Sequence, residues 1–184
     1  MWNVSSNSVS NRINIRPATL GGGDLAGLCD VLVDCVQGGA SVGFMLPFDQ
    51  SRAEEFWVGA LDSAAAGQRI VLVAEDQETG AVVGTVQVVV SGPENQPHRG
   101  EVSKMLVHRN ARRRGVAEAL MRSAETAARE AGKSLLVLDT ASDAAERLYE
   151  RLGWQRVGVI PEYALWPEGG LVDTVVFYKN LSSD

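Results

Sequence analysis

The chain has 184 residues, 45% hydrophobic and 22% charged, with a formal net charge of −6. This composition is globular rather than disordered, and the length suits one domain with a sizeable core. The acidic balance excludes a generic attraction to polyphosphate, so any anion site has to be local.

Residues 1–12, MWNVSSNSVSNR, are polar and lack the apolar centre of a signal peptide. A flexible tail is expected there. No apolar run reaches bilayer-spanning length, which predicts a cytoplasmic protein with no membrane partner. INIRPAT alternates and stops at Pro17, as a short first strand would. Between flanking glycines, Leu25, Leu28, Leu32 and Cys35 recur at helical spacing, with Asp24 as the expected N-cap. Cys29 and Cys35 fall on different faces of this helix. They read as buried free thiols and form no metal motif with His98 and His108, so no metal is expected. SVGFMLPFD is a loop, and a second helix runs from about Gln50 to Ala66. RIVLVAED and AVVGTVQVVV flank the turn QETG as a hairpin, and RGEVSKMLV follows as a further strand. The next helix carries Val116, Leu120, Ser123, Ala127 and Ala131 on one face. Glu118–Arg122 and Glu125–Arg129 form i,i+4 pairs on its outer side. SLLVLDT is a buried-type strand, and SDAAERLYERLG is a helix from Ser142 at the N-cap to a stop at Gly153. WQRVGVI and DTVVFYKNL close the chain as strands joined by a loop around Trp166. The order predicts a single α/β domain over 13–184, built on a mixed sheet flanked by helices.

ARRRGVAEAL, Ala111 to Leu120, sits between a strand and a helix start. There the first helical N–H groups lack backbone partners and point outward with the positive end of the dipole, a natural seat for phosphate. Gly115 permits a tight turn and close approach of an anion, Ala117 keeps the helix start uncrowded, and Arg112, Arg113 and Arg114 can add charge-assisted bonds. A solvated turn and a nucleic-acid patch are the other readings. The acidic remainder of the chain and the lack of an aromatic-rich surface argue against nucleic acid. Neither a Walker loop nor a three-glycine dinucleotide fingerprint is present.

The pattern Arg112-x-x-Gly115-x-Ala117, after VSKMLV and before EALMRSAETAARE, resembles the signature of GNAT-type N-acetyltransferases. AERLYERLGW, Ala145 to Trp154, is similar to a later helix of that family, with one buried strand between the two motifs. GGASVGFM, EVSKMLV, LDT and RVGVIPEYALWPEGGLVDTVVFYK look most like the tabtoxin-resistance group within it. The resemblance implies a mostly antiparallel, splayed sheet and acetyl-CoA as cofactor. Its diphosphate would lie on the backbone of Arg112, Arg113, Arg114, Gly115, Val116 and Ala117, and its pantetheine arm along Met105, Leu106 and Val107. It implies direct acetyl transfer to an amine of a small amino-acid-like or toxin-like molecule. The alternatives are a protein N-terminal or lysine acetyltransferase and a non-catalytic acyl-CoA sensor. Monomer and homodimer are both compatible.

For the chemistry, the Val107 N–H is the expected oxyanion donor. By period-two alternation Glu101, Ser103, Met105 and Val107 share a face unless a bulge intervenes, which would aim Glu101 at the acceptor as general base. Asp139, at the end of an interior strand, would hold the substrate ammonium or share proton removal, or else cap the next segment. Tyr149 matches the family tyrosine near the cofactor sulfur and would protonate the leaving thiolate; its other reading is core packing. Many family members place an asparagine before the tyrosine helix, where TASD here offers Ser142 or Asp143. Phe44, Tyr163 and Trp166, on segments read as flexible loops, are the expected walls of the acceptor pocket.

Overall fold

The computed structural model describes residues 12–19 and 23–181. The expected tail therefore lies, apart from Arg12, outside the described residues. Arg12 is tied down by an ion pair to Glu78 at 3.1 Å.

The elements, in order, are β1 (Ile13–Pro17), α1 (Asp24–Gln37), α2 (Gln50–Ala65), β2 (Arg69–Asp76), β3 (Val82–Val89) and β4 (Arg99–Val107). After a 3-10 turn at Arg109–Ala111 come α3 (Val116–Glu130), β5 (Leu135–Thr140), α4 (Asp143–Arg151), β6 (Gln155–Leu165) and β7 (Leu171–Asn180). The strands form one open sheet in the order β1-β2-β3-β4-β5-β7-β6. Among the described residues only β4 and β5 run parallel.

Alternation along the strands divides the molecule into two cores. On β2, Leu72 and Ala74 pack under α3 and α4, while Val71 and Val73 pack under α1 and α2. A central strand buried on both faces reads as a continuous apolar run, as RIVLVA does. The α3 side gathers Val116, Leu120, Met121, Ala124 and Ala128 over Val86, Val102, Leu136 and Phe177. The α1–α2 side gathers Leu28, Leu32, Val36, Trp57 and Leu61. Gly84 lets α3 sit close to the sheet: a Cβ there would lie 3.1 Å from both Val116 and Leu120 and 2.9 Å from the Leu106 carbonyl.

Several expectations are corrected. Asp24 is the first residue of α1, and Gly23 precedes it as N-cap in the left-handed region. The Asp24 carboxylate turns inward instead, where the Arg16 guanidinium forks onto it at 2.8 Å and the Thr19 N–H donates at 2.9 Å. That guanidinium holds the carboxyl below its usual range despite burial. α3 is rotated from the expected face: Met121, Ala124 and Ala128 are buried, whereas Ser123 and Ala127 lie at the edge. The Glu118–Arg122 pair forms at 2.9 Å. Glu125 is buried, not on the outer side; it accepts from Trp154 Nε1 at 2.9 Å and Lys179 Nζ at 2.7 Å. Arg129 donates to the Leu181 carbonyl. The segment expected as a loop before Trp166 is strand through Leu165, and the connection to β7 is the short turn 166–170. β6 is an edge strand, so Pro161 and the left-handed Glu162 (φ 53°) interrupt its pairing without ending it. Cys29 and Cys35 are free and buried as expected. Among the described residues no helix is long and apolar enough to cross a membrane.

Candidate active site

β4 and β5 pair only through Arg99–Leu135, Gly100–Leu136 and Glu101–Val137. Beyond Glu101 the two strands continue without each other, β4 to Val107 and β5 to Thr140, and a gap opens between them. Beyond Glu101, one edge of β4 thus faces no strand among the described residues. The His108 N–H donates to the Val83 carbonyl at 2.9 Å, so alternation turns the Val107 N–H and C=O away from β3 toward the open side. The Val107 carbonyl accepts from Arg112 Nε at 3.3 Å and from the Cys35 thiol at 3.6 Å. Burial raises that thiol's pKa, so it remains a donor.

A bulge sets the faces of β4. Gln87 pairs with Ser103 and Thr85 with Leu106, leaving Lys104 and Met105 opposite one residue of β3. Lys104 adopts φ 50°, a left-handed value for a residue with a long side chain. After the bulge Met105 and Val107 pack on the α3 side and Leu106 on the α1–α2 side. Before it, Val102 lies on the α3 side, which puts Glu101 and Ser103 on the other. Glu101 therefore does not share a face with Met105 and Val107: the bulge separates them.

At the end of β4 the chain makes the expected nest. Asp34 on α1 anchors it, accepting from the Arg109 N–H at 2.9 Å and from Arg109 Nε at 2.7 Å. Burial would raise the Asp34 carboxyl, but these bonds and the nearby His108 and Arg109 outweigh it and the carboxyl is lowered. Arg112 is extended, Arg113 has φ 61°, and Gly115, the N-cap of α3, has φ 76°. The Ala119 N–H donates to the Gly115 carbonyl at 3.1 Å as α3 begins, which leaves the N–H groups of Val116, Ala117 and Glu118 without intrahelical partners. A Cβ on Gly115 would meet no atom within 4 Å, so the demand for glycine comes from its φ. The three arginines part company. Arg113 is exposed, Arg112 reaches back to Val107, and Arg114 is committed to Asp76 at 2.7 Å. Arg114 lowers the Asp76 carboxyl and locks the nest to the end of β2; its side chain is not available to an anion.

The other wall is β5 with α4. Leu136 and Leu138 face the α3 side, so alternation puts Asp139 on the acceptor side, where it accepts from the Thr174 hydroxyl at 2.7 Å. Tyr149 lies on the opposite side, with its ring 5.9 Å from Trp154 and 5.8 Å from Phe177. Among the described residues its hydroxyl has no hydrogen-bond partner. Burial, and then the charge of Asp139, raise its pKa above the usual value. The charge of Asp139 thus reaches Tyr149 from the other face of the sheet. Glu101 is exposed and lies 3.7 Å from Arg99. Ser142 is consumed as N-cap of α4, accepting from the Ala145 N–H at 3.4 Å.

Phe44 is part of an aromatic cluster on the α1–α2 side, with ring centroids 4.6 Å from Phe48 and 5.2 Å from Phe56. Tyr163 and Trp166 are exposed on the β6–β7 hairpin. Two contacts bring the hairpin to the α1–α2 loop: Ser41 Oγ to the Leu165 carbonyl at 3.1 Å, and the Leu46 N–H to the Pro167 carbonyl at 2.9 Å. The sequence reading missed Lys104, which lies at the bulge with its Nζ over the rings of Phe44 (5.7 Å) and Phe56 (5.5 Å). It also missed Gln87, fully buried with its Nε2 unpartnered. A glutamine inside the apolar run VQVVV was the one visible signal for the latter.

The model of the acetyltransferase (GNAT) family matches residues 36–154. Solved structures share the fold over nearly the whole chain. The yncA protein of Salmonella typhimurium, a structure with its cofactor acetyl-CoA, has a TM-score of 0.77 at 21% identity, covering 95% of this chain and 96% of that one. A phosphinothricin acetyltransferase from Sinorhizobium meliloti in complex with acetyl-CoA has 0.76 at 19%, covering 93% and 89%. A ribosomal-protein-alanine N-acetyltransferase from Brucella melitensis has 0.73 at 26%, covering 91% and 99%.

Proposed function

The chain belongs to the acetyltransferase (GNAT) family, and from that premise we propose that it moves an acetyl group directly onto the amine of a small, amino-acid-like acceptor. The acetyl donor is acetyl-CoA, which supplies an activated thioester. The residues present suit that donor. A left-handed glycine opens a helix start whose N–H groups are free, and the adjoining strand edge is unpaired. The working unit is the domain from residue 13 onward.

The observation that carries the reading is the β4–β5 gap, with the nest at one end and, at the other, Asp139 and Tyr149 on opposite faces of the sheet. The open edge of β4 would hold the pantetheine arm by strand-like hydrogen bonds, leaving the Val107 N–H to donate to the developing oxyanion. Asp139, oriented by Thr174, holds the acceptor ammonium and takes its proton; Glu101 does so through water where the acceptor reaches outward. The Tyr149 hydroxyl gives its proton to the leaving sulfur. Its raised pKa keeps it protonated at neutral pH. Holding the two reactants in one gap supplies much of the rate. Removal of an amino-acid-like toxin in the cytoplasm is the role that suits this chemistry.

Thermal shift with acetyl-CoA, followed by thiol release across amino acids, polyamines, aminoglycosides and toxin analogues, tests the reading. A rise in Tm with millimolar acetyl-CoA and turnover on small amines is expected; no shift overturns it. The likeness to a ribosomal-protein-alanine acetyltransferase favours a peptide acceptor as the second reading. Turnover confined to peptides beginning with alanine would select that one.

A further inference from the structure

On the acceptor side of the sheet, running inward from the edge of the gap, three hydrogen-bond donors come from three adjacent strands. Lys104 is provided by the bulge of β4, Gln87 by β3 and Arg69 by β2. Gln87 pairs directly with Ser103 in the β3–β4 register and with Val71 in the β2–β3 register. Val71 belongs to the core under α1 and α2, and by alternation Arg69 shares its face. Arg69 Nη1 donates to Gln87 Oε1 and Arg69 Nε to the Ser63 hydroxyl. That bond fixes the amide orientation: its oxygen is used, and Gln87 Nε2 is left as a buried donor with nothing to bind.

Lys104, half-buried, is also short of partners. Among the described residues it makes no hydrogen bond and no ion pair; its ammonium rests over the rings of Phe44 and Phe56. The charges of Arg69, Asp139 and Glu101 reach it, but among the described residues no carboxylate is within salt-bridge range. Buried donors are nearly always satisfied, and a buried cation is costly when unpaired. A buried amide donor without a partner and a half-buried ammonium without a counter-ion, on neighbouring strands and beside a guanidinium, call for an anion. A left-handed φ at a lysine is a further cost, and it accompanies a side chain laid over the rings of Phe44 and Phe56.

We propose that Lys104, with Gln87 Nε2 and Arg69 beside it, binds the carboxylate of the acceptor, while Asp139 on the opposite wall receives the amine. The inference rests on the transfer reading above and narrows its acceptor to a zwitterion. The two cations of Lys104 and Arg69 match the two anions of Glu101 and Asp139, so the cleft is polarised rather than charged.

The test compares free amino acids with their decarboxylated amines, L-phenylalanine against phenethylamine, L-leucine against isopentylamine and L-lysine against cadaverine, in the wild type and in Lys104→Met. Thiol release from acetyl-CoA should favour the acids by about thirtyfold in kcat/KM, and Lys104→Met should abolish that preference while leaving the amines within about twofold. Binding is read separately, as the rise in Tm that each compound produces in the protein saturated with CoA. The acids should stabilise the wild type and not Lys104→Met. Gln87→Leu should weaken the acids alone, by a smaller factor. Equal treatment of acids and amines by the wild type, or equal losses on both in Lys104→Met, overturns the proposal. If no thiol is released with any compound, the transfer reading fails by itself, and the Tm comparison still decides the carboxylate site.

Discussion

The two ends of the gap are built from different materials. At the β4–α3 junction the useful groups are backbone N–H, and the side chains there are busy elsewhere: Arg114 with Asp76, Arg109 with Asp34, Arg112 with the Val107 carbonyl. At the other end the groups proposed to act are side chains contributed by separate elements, Asp139 from β5, Tyr149 from α4 and Lys104 from the bulge of β4. A backbone site depends on dihedral angles and tolerates changes of side chain. A side-chain site depends on packing and charge, and each member carries its own task. The contrast teaches that charge density in the sequence is a poor guide to where the charge acts. Of the three consecutive arginines, one is held in an ion pair, one in a backbone contact, and one is exposed.

The sharpest way to break this contrast is at Tyr149. Tyr149→Phe keeps the ring against Trp154 and Phe177 and removes a hydroxyl that has no partner among the described residues. Turnover should fall by about 100-fold or more, the usual scale for a lost general acid, while the dissociation constant of acetyl-CoA stays within about twofold. Equal losses in both would make Tyr149 a packing residue. The pH profile adds a sign. Burial and Asp139 raise this hydroxyl, so it stays protonated past its ordinary value, and kcat should show no alkaline fall below about pH 10. A fall centred near pH 8 would assign the proton to another group.

Next in size is the support behind that tyrosine. Glu125 accepts from Trp154 and Lys179, and Trp154 in turn packs on Tyr149. Glu125→Ala removes both acceptors at once. Lys179 keeps only the Leu152 carbonyl at 2.6 Å, and the Trp154 indole N–H keeps nothing. Urea unfolding should report a loss of about 3 kcal/mol, and Glu125→Gln, which retains one acceptor oxygen, a smaller one. A loss under about 0.5 kcal/mol would mean that water replaces the carboxylate, and the side-chain half of the site would be less interdependent than its contacts suggest.

These residues also mark how far the sequence could be read. The strands, the four helices and the nest were visible, because period and glycine placement encode them locally. Gly115 is needed for its φ, and such a need writes itself into one position. Lys104 left no trace: a lysine in EVSKMLV reads as the exposed phase of an alternating strand, and the extra residue that reverses the phase appears only in the pairing with β3. Glu125, four residues before Arg129, reads as a surface pair. Its burial depends on Trp154 and Lys179, which the chain brings back from 29 and 54 residues away. Pro161 and Glu162 signalled a loop in what is an edge strand, where a missing N–H and a left-handed residue cost little. Local conformation was therefore readable, and side-chain destinations set by distant partners were not.

The smallest effects separate the two materials most cleanly, because they pit a backbone angle against a charge in one loop. In Gly115→Val a Cβ meets no protein atom, so folding should suffer only the strain of a branched residue at φ 76°, about 1–2 kcal/mol. If the chain relieves that strain by turning away from φ 76°, the N–H groups of Val116 and Ala117 leave the nest, and acetyl-CoA affinity should drop by about thirtyfold. Arg113→Ala deletes an exposed guanidinium and leaves the dihedral to a residue that also tolerates it poorly, so a loss of about threefold is expected. Added salt distinguishes the two. The Arg113 contribution should vanish at high ionic strength, where exposed charges are screened, and the Gly115 deficit should persist. Calorimetry of acetyl-CoA binding to both variants at low and high salt reads this directly. If Arg113→Ala is the more damaging variant and its deficit disappears with salt, the anion is held by charge rather than by the backbone, and the division between the two ends of the gap fails.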